Sequence, residues 1–178
     1  MTLFRAACVQ MRSGTEVADN IDAASALVRQ AAKAGAVFIA TPEMTNILDI
    51  RPGMARPKIV AQEDDATLAA IRALAVELGV WLLLGSIAVT VESEDRRANR
   101  SFLIAPDGKV VAQYDKIHMF DVEVGDGQTY RESRAYRPGT SAVLAKTSIA
   151  PIGMTICYDL RFPALYRTLA QAGAQILT

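Results

Sequence analysis

Apolar and polar positions near the start of the chain follow a strand–helix–strand order. Residues 3–11 form an apolar, β-rich run, and the apolar residues after them recur at helical spacing. This spacing predicts a helix that is capped by Asp19 or Asn20 and continues to about residue 34. The short apolar run at residues 37–40 predicts the next strand. Such a unit indicates two parallel strands joined by a right-handed crossover.

The same order recurs further along the chain. A second helix is predicted to begin at Asp64 or Asp65 and to end near Gly79, because glycine is typical of a helix C-terminus. Residues 80–91 then predict a long strand. Gly85 lies inside this strand, where a glycine indicates a bulge or a close approach between backbones.

The second half of the pattern differs from the first. Residues 99–105 and 109–114 flank a Pro-Asp-Gly turn and predict an antiparallel hairpin, so the sheet is expected to be mixed. Residues 117–140 show little periodicity but many charged and aromatic residues, which is typical of a functional loop. The remaining predicted elements are strands near residues 141–144, 150–156 and 174–178, and a helix after Arg161.

Composition narrows the class of protein. The 178 residues, 51% of them hydrophobic and 21% charged, predict one α/β domain over residues 1–178. Nineteen basic and nineteen acidic residues cancel, so no global charge favours nucleic acid or an anionic membrane. Two distant cysteines and the lack of a signal-like or membrane-spanning run predict a cytoplasmic protein. No metal site is expected, because Cys8, Cys157 and the single His118 lack ligand spacing.

Three polar residues follow apolar strands, where sites gather in sheets built from β-α-β units: Glu43, Lys116 and Cys157. Together they offer a base, a cation for an oxyanion and a thiol nucleophile. Cys157 is predicted to lie between a strand and a helix start, where the helix N-terminus would lower the pKa of its thiol. Each residue also has an ordinary alternative: a helix-start carboxylate, a solvated lysine and a buried cysteine.

Three segments of the sequence together resemble the nitrilase superfamily of carbon–nitrogen hydrolases: residues 40–44, 114–120 and 153–163. The similarity runs from Arg5 to the end of the chain. It implies an α-β-β-α sandwich with mixed sheets, whose C-terminal strands and helices the chain does not include. We therefore expect that these residues are part of a longer protein.

The resemblance also implies roles for individual residues. Cys157 would be the nucleophile, Glu43 the general base and acid, and Lys116 the group that stabilises the oxyanion, helped by the backbone N–H of Tyr158. Glu132 would position Lys116 or the attacking water, with a loop ion pair as the alternative. The reaction that the resemblance implies needs no metal or organic cofactor. Family members usually form homodimers, so self-association is expected.

The motif after Cys157 is most similar to the deaminated-glutathione amidase and omega-amidase branch. The implied substrate is a small carboxylate-bearing amide, and Arg161 would bind its carboxylate or else form a structural ion pair. An N-carbamoyl amino acid hydrolase and a nitrilase of the same superfamily are the alternative enzymes. Two further hypotheses are a Cys157–His118 hydrolase and an inactive fragment with an exposed sheet edge.

Overall fold

The computed structural model describes residues 3–51, 53–125 and 129–178. Its α-helices are α1 (Val17–Lys33), α2 (Ala66–Leu78) and α3 (Pro163–Gln171). Its longer strands are β3 (Trp81–Val91), β4 (Glu94–Ile104) and β5 (Val110–Asp115). The shorter strands are β1 (Ala6–Cys8), β2 (Phe38–Ala40), β6 (Asp121–Glu123), β7 (Thr129–Arg131), β8 (Val143–Ala145), β9 (Ile152–Met154) and β10 (Ile176–Leu177). Short 3-10 helices cover Arg56–Lys58, Gln62–Asp64, Glu132–Arg134 and Cys157–Arg161.

A mixed five-stranded sheet runs in the order β1-β2-β3-β4-β5. The β1/β2 and β2/β3 pairs are parallel, and the β3/β4 and β4/β5 pairs are antiparallel. The two predicted β-α-β units and the hairpin are therefore confirmed. A second sheet has the order β10-β9-β8, with a parallel and an antiparallel pair, and β6 and β7 form a separate hairpin.

The two larger sheets pack face to face. Because successive side chains of a strand point to opposite faces, β3 contacts the helices on one side and the second sheet on the other. On β3, Leu82 and Leu84 pack with α1 and α2, whereas Leu83 packs with Ile152 and Met154 of β9. Helix α3 covers the outer face of β9, where a Cβ on Gly153 would lie 3.1 Å from that of Leu169. The layers are helices, sheet, sheet and helix, so the α-β-β-α arrangement is confirmed.

Helix α2 follows its local signals. The Asp65 side chain accepts a hydrogen bond from Leu68 N at 2.8 Å, and Gly79 takes the left-handed conformation after the last turn. The predicted cap of the first helix is wrong, because α1 begins at Val17. Asn20 is instead buried inside the helix, and its side chain bonds to Gly14 and to Asn46 O.

Gly85 confirms the predicted close approach. The β3/β4 register shifts between Leu84 and Ile87, and a Cβ on Gly85 would lie 2.0 Å from the carbonyl oxygen of Thr41. Thr41 Oγ1 accepts a hydrogen bond from Gly85 N at 3.1 Å. The segment after β2 therefore lies directly on β3. Among the described residues, no helix is both long enough and apolar enough to cross a membrane.

Candidate active site

Glu43 is held on a loop that is bonded along its length to β3. Met44 N donates to Ser86 Oγ at 2.9 Å, and Thr45 N donates to the backbone oxygen of Ser86 at 2.8 Å. Ser86 N in turn donates to the Pro42 carbonyl at 3.2 Å. These bonds fix the half-buried Glu43 beyond the carboxyl end of β2, as the sequence predicts.

Lys116 lies directly after β5 and is nearly fully buried, with 2% of its surface exposed. Its backbone N donates to Asn99 O at 3.0 Å, and its carbonyl accepts from Gly139 N at 2.8 Å. Its Nζ lies 2.9 Å from Glu43 Oε1 and 3.0 Å from Glu132 Oε2. A buried ammonium between two carboxylates is a fixed cation, as an oxyanion site requires.

Glu132 begins the 3-10 helix of the long loop and faces Lys116. Its Oε2 accepts a hydrogen bond from Phe120 N at 2.6 Å, and its own N donates to Phe120 O at 3.3 Å. Asn99 connects the two glutamates, because its Nδ2 donates to Glu43 Oε1 at 2.7 Å and to Glu132 Oε1 at 3.5 Å. Glu132 therefore contacts Lys116 directly, and its catalytic role stays a prediction.

Cys157 follows β9 and has a φ of +47°, which is uncommon for a residue other than glycine. It begins a five-residue 3-10 helix, so its predicted position between a strand and a helix start is confirmed, and the helix predicted after Arg161 is α3, which starts at Pro163. The turn is held by Asp159, whose Oδ2 accepts a hydrogen bond from Ile156 N at 2.9 Å. The Asp159 side chain is fully buried.

Asp159 also joins the cysteine turn to the strand that carries the lysine. Tyr114 Oη donates to Asp159 Oδ2 at 2.7 Å, and His118 N donates to Oδ1 at 3.0 Å. His118 Nδ1 lies 2.7 Å from the same Oδ1, and its ring stacks on Phe162 with centroids 3.6 Å apart. These contacts engage His118 with Asp159, and the Glu43 carboxylate lies next to the thiol of Cys157.

The pKa of the Cys157 thiol is raised to about 11, which contradicts the predicted lowering. Partial burial of the thiol is the largest cause, and the adjacent Glu43 carboxylate adds to it. Lys116 lowers this pKa, but by less. For Lys116 itself, burial lowers the pKa, while Glu43 and Glu132 together reverse that effect and raise it overall. The thiol is therefore protonated at neutral pH, and the lysine is charged.

A cavity of about 940 Å³ opens over these groups. Eleven residues line it: Glu43, Met44, Ile50, Lys116, Phe120, Thr129, Tyr130, Arg131, Glu132, Arg134 and Cys157. The four residues that the resemblance makes catalytic thus share one solvent-accessible space. That space also has an apolar wall and two arginines.

Neither of the two predicted substrate-binding residues, Tyr158 and Arg161, lines this cavity. The Tyr158 ring packs edge-on against Phe120 and Phe162, with centroids 5.0 and 5.5 Å apart. Arg161 is exposed on the 3-10 helix and is not among the cavity-lining residues. Their roles in binding the oxyanion and the substrate stay predictions.

Two residues that hold the site are not predicted by the sequence patterns. Asn99 is a buried amide in the mostly polar first part of β4, between Ala98 and Arg100, so no local signal distinguishes it from its neighbours. Asp159 lies inside the motif after Cys157, where an acidic residue in a short turn is typical of a cap. Their contacts depend on distant strands, which local patterns do not reveal.

Comparisons with known proteins show the family of the chain. The family model for carbon–nitrogen hydrolases matches residues 5–178. The chain is 37% identical over 175 residues to a deaminated glutathione amidase of Yersinia enterocolitica, which covers 97% of the chain and 60% of that protein. It is 33% identical over 179 residues to the omega-amidase NIT2 of Homo sapiens, covering 99% of the chain and 63% of that protein.

Solved structures share the fold. The NitFhit protein of C. elegans superposes with a TM-score of 0.85 at 27% identity, covering 96% of the chain and 42% of that protein. An amidase of Nesterenkonia sp. AN1 superposes with a TM-score of 0.83 at 24% identity, covering 98% of the chain and 65% of that protein. The chain spans 60–65% of the length of the curated deaminated glutathione amidases and omega-amidase that it matches. By the family match and the fold, the chain belongs to the carbon–nitrogen hydrolases of the nitrilase superfamily.

Proposed function

We propose that the protein hydrolyses a small carboxylate-bearing amide and releases ammonia through a thioester on Cys157. The observation that supports this most directly is the buried Lys116 ammonium, which contacts both Glu43 and Glu132 beside the exposed Cys157. The curated relatives named deaminated glutathione amidase and omega-amidase support an amide as the substrate.

Acylation begins with the thiol in its protonated form, because its pKa is about 11. As sulfur attacks the amide carbon, Glu43 accepts the thiol proton and the carbonyl π electrons move to oxygen. The Lys116 ammonium stabilises the resulting oxyanion. When the C–N bond breaks, the protonated Glu43 gives its proton to the leaving nitrogen, so ammonia departs and a thioester remains.

Deacylation uses the same groups with water as the nucleophile. Glu43 accepts a proton from the water that attacks the thioester, and Lys116 again faces the oxyanion. The C–S bond breaks, the acid product leaves, and the proton returns from Glu43 to sulfur. Glu132 positions Lys116, whose Nζ lies 3.0 Å from Glu132 Oε2.

An ammonia-release assay with matched variants tests this proposal. Substrates would be omega-amides, deaminated glutathione, N-carbamoyl amino acids and nitriles. We expect release from the amides and a loss on the order of a thousandfold in Cys157→Ala. In Glu43→Gln we expect no acyl group on Cys157 by mass spectrometry, because the thiol proton then lacks its acceptor. Release that is undiminished in Cys157→Ala would refute the mechanism, and preference for the other two classes would favour a carbamoylase or a nitrilase.

We also propose a cytoplasmic location and a homodimer. Both cysteines are free, which fits a reducing compartment. Leu160, next to the site, leaves 65% of its surface exposed on the cysteine turn and could bury it against a second copy. Light scattering coupled to gel filtration tests the dimer: Leu160→Glu should shift the mass toward a monomer, and an unchanged mass would rule out this face.

A further inference from the structure

The cavity contains three cationic side chains in different states of pairing. Lys116 is held by two carboxylates, and Arg131 forms an ion pair with Glu123. Arg134 also lines the cavity and is exposed. Within the described ranges, no hydrogen bond or ion pair engages its guanidinium. Among the described lining residues, Arg134 is thus the cation that has its hydrogen-bond donors available for a ligand.

The backbone that carries Arg134 is firmly placed relative to Lys116. Arg134 is the last residue of the 3-10 helix that begins at Glu132, whose carboxylate contacts Lys116. The residue between them is anchored as well, because Ser133 N donates to Asp121 Oδ1 at 3.0 Å and its Oγ to Oδ2 at 2.5 Å. A guanidinium on this helix can therefore define a position for a ligand group relative to the catalytic residues.

Charge decides which end of a substrate faces which residue. Glu43 and Glu132 carry two negative charges against one positive charge on Lys116, and the thiol of Cys157 is neutral. A substrate carboxylate placed there would meet net repulsion, whereas the uncharged amide would not. At Arg134 a carboxylate is favoured over an uncharged amide, because a planar guanidinium can donate two parallel hydrogen bonds to a carboxylate.

We propose that Arg134 binds the substrate carboxylate and so selects amides that carry an acid group at the far end of a short aliphatic chain. The apolar side chains of Met44, Ile50 and Phe120 line the same cavity and fit the chain between the two groups. This inference rests on the proposed amidase function and names the substrate class of that site. It assigns to Arg134 the role that the sequence motif gave to Arg161, which lies outside the cavity lining.

Selectivity measurements on matched variants provide the first test. The substrates are the monoamide of succinic acid and the neutral pentanamide, compared by the ratio of their kcat/KM values. Arg134→Gln should lower this ratio about 10- to 100-fold, mainly through KM of the acidic substrate, and Arg134→Lys should recover part of it. Arg131→Gln, which removes a paired cation from the same cavity, should change the ratio less than about threefold. An unchanged ratio in Arg134→Gln, or an equal fall in Arg161→Gln, would overturn the assignment.

A second readout does not depend on turnover. Succinate should slow alkylation of Cys157 by iodoacetamide, as followed by peptide mass spectrometry, and Arg134→Gln should abolish this protection. The exposed Cys8 provides the internal reference, since its alkylation should not respond to succinate.

The two readouts separate this inference from the proposed function. Protection that requires Arg134 without any amide hydrolysis would support the anion subsite and refute the amidase. Amide hydrolysis in which neither selectivity nor protection responds to Arg134→Gln would do the reverse.

Discussion

Asp159 is predicted to stabilise both the fold and the cysteine turn, and Asp159→Asn tests this. Its two buried oxygens accept hydrogen bonds from Tyr114 Oη, Ile156 N and His118 N, and His118 Nδ1 lies within bonding distance. An asparagine keeps one acceptor oxygen, so its NH2 group would face the donors of the other. Hydrogen bonds to a charged group contribute about 1.5–3 kcal/mol each, so losing two should cost about 3–6 kcal/mol.

Urea unfolding of the two proteins measures this cost, provided that the slope with denaturant is unchanged. Tyr114→Phe is the matched control, because it removes one of the donors and leaves the carboxylate in place. We expect it to cost about 1.5–3 kcal/mol, the contribution of one hydrogen bond to a charged group. A loss below about 1 kcal/mol in Asp159→Asn, or a loss no larger than that of Tyr114→Phe, would refute the network as a source of stability.

The same variant has a kinetic consequence at the nucleophile. The turn that Asp159 holds keeps Cys157 at a φ of +47°. Released from that bond, the turn should relax toward a more common backbone conformation, which costs less free energy. Ammonia release by folded Asp159→Asn should then fall about tenfold or more through kcat. Unchanged kcat in a folded variant would show that the network stabilises the fold without orienting the thiol.

The thiol, the bulge on β3 and the cap of α2 each give a further prediction. Because the pKa of Cys157 is about 11, the rate of its alkylation should still rise at the highest pH at which the protein stays folded. Glu43→Gln should lower that pKa, because the Glu43 carboxylate contributes to raising it. An alkylation rate that becomes constant near the ordinary thiol pKa would contradict the raised pKa. Gly85→Ala should cost about 3 kcal/mol or more in urea unfolding because its Cβ would overlap a backbone oxygen, whereas Gly125→Ala, which has open space, should change stability by less than about 1 kcal/mol. Asp65→Ala should lower the free energy of unfolding by about 1 kcal/mol through the lost cap of α2, and no change would show that the cap is dispensable.

Elements whose signals are local could be predicted from the sequence. Helix α2 begins after Asp65 and ends before Gly79 because both residues act on neighbours within one turn. The bulge at Gly85 was likewise predictable, since a glycine inside a long strand weakens it and so usually marks a bulge or a close backbone approach. Asn20 shows the limit: it is a good cap by type, yet its amide bonds to Asn46 O, a partner that only the folded chain supplies.

In the candidate site, too, local features could be predicted from the sequence and contacts between distant residues could not. The positions of Glu43 and Lys116 at strand ends followed from the sequence, and their pairing needed the three-dimensional arrangement. The direction of the Cys157 pKa shift could not be obtained, because it depends first on how far the folded chain buries the thiol and then on whether Glu43 or Lys116 acts more strongly on it. The sequence also could not show which arginine forms an ion pair among the described residues, because ion pairs depend on which side chains the fold brings together.

The two sheets contribute different parts of the site. Glu43 and Lys116 extend from the five-stranded sheet, whereas Cys157 extends from the three-stranded sheet. Glu43 and Cys157 are thus aligned only as well as the two sheets are aligned with each other. A substitution deep between the sheets, as at Met154, could slide one layer by a fraction of an ångström and slow catalysis well before the protein unfolds. The rate of ammonia release should therefore respond to small changes in the relative position of the two sheets.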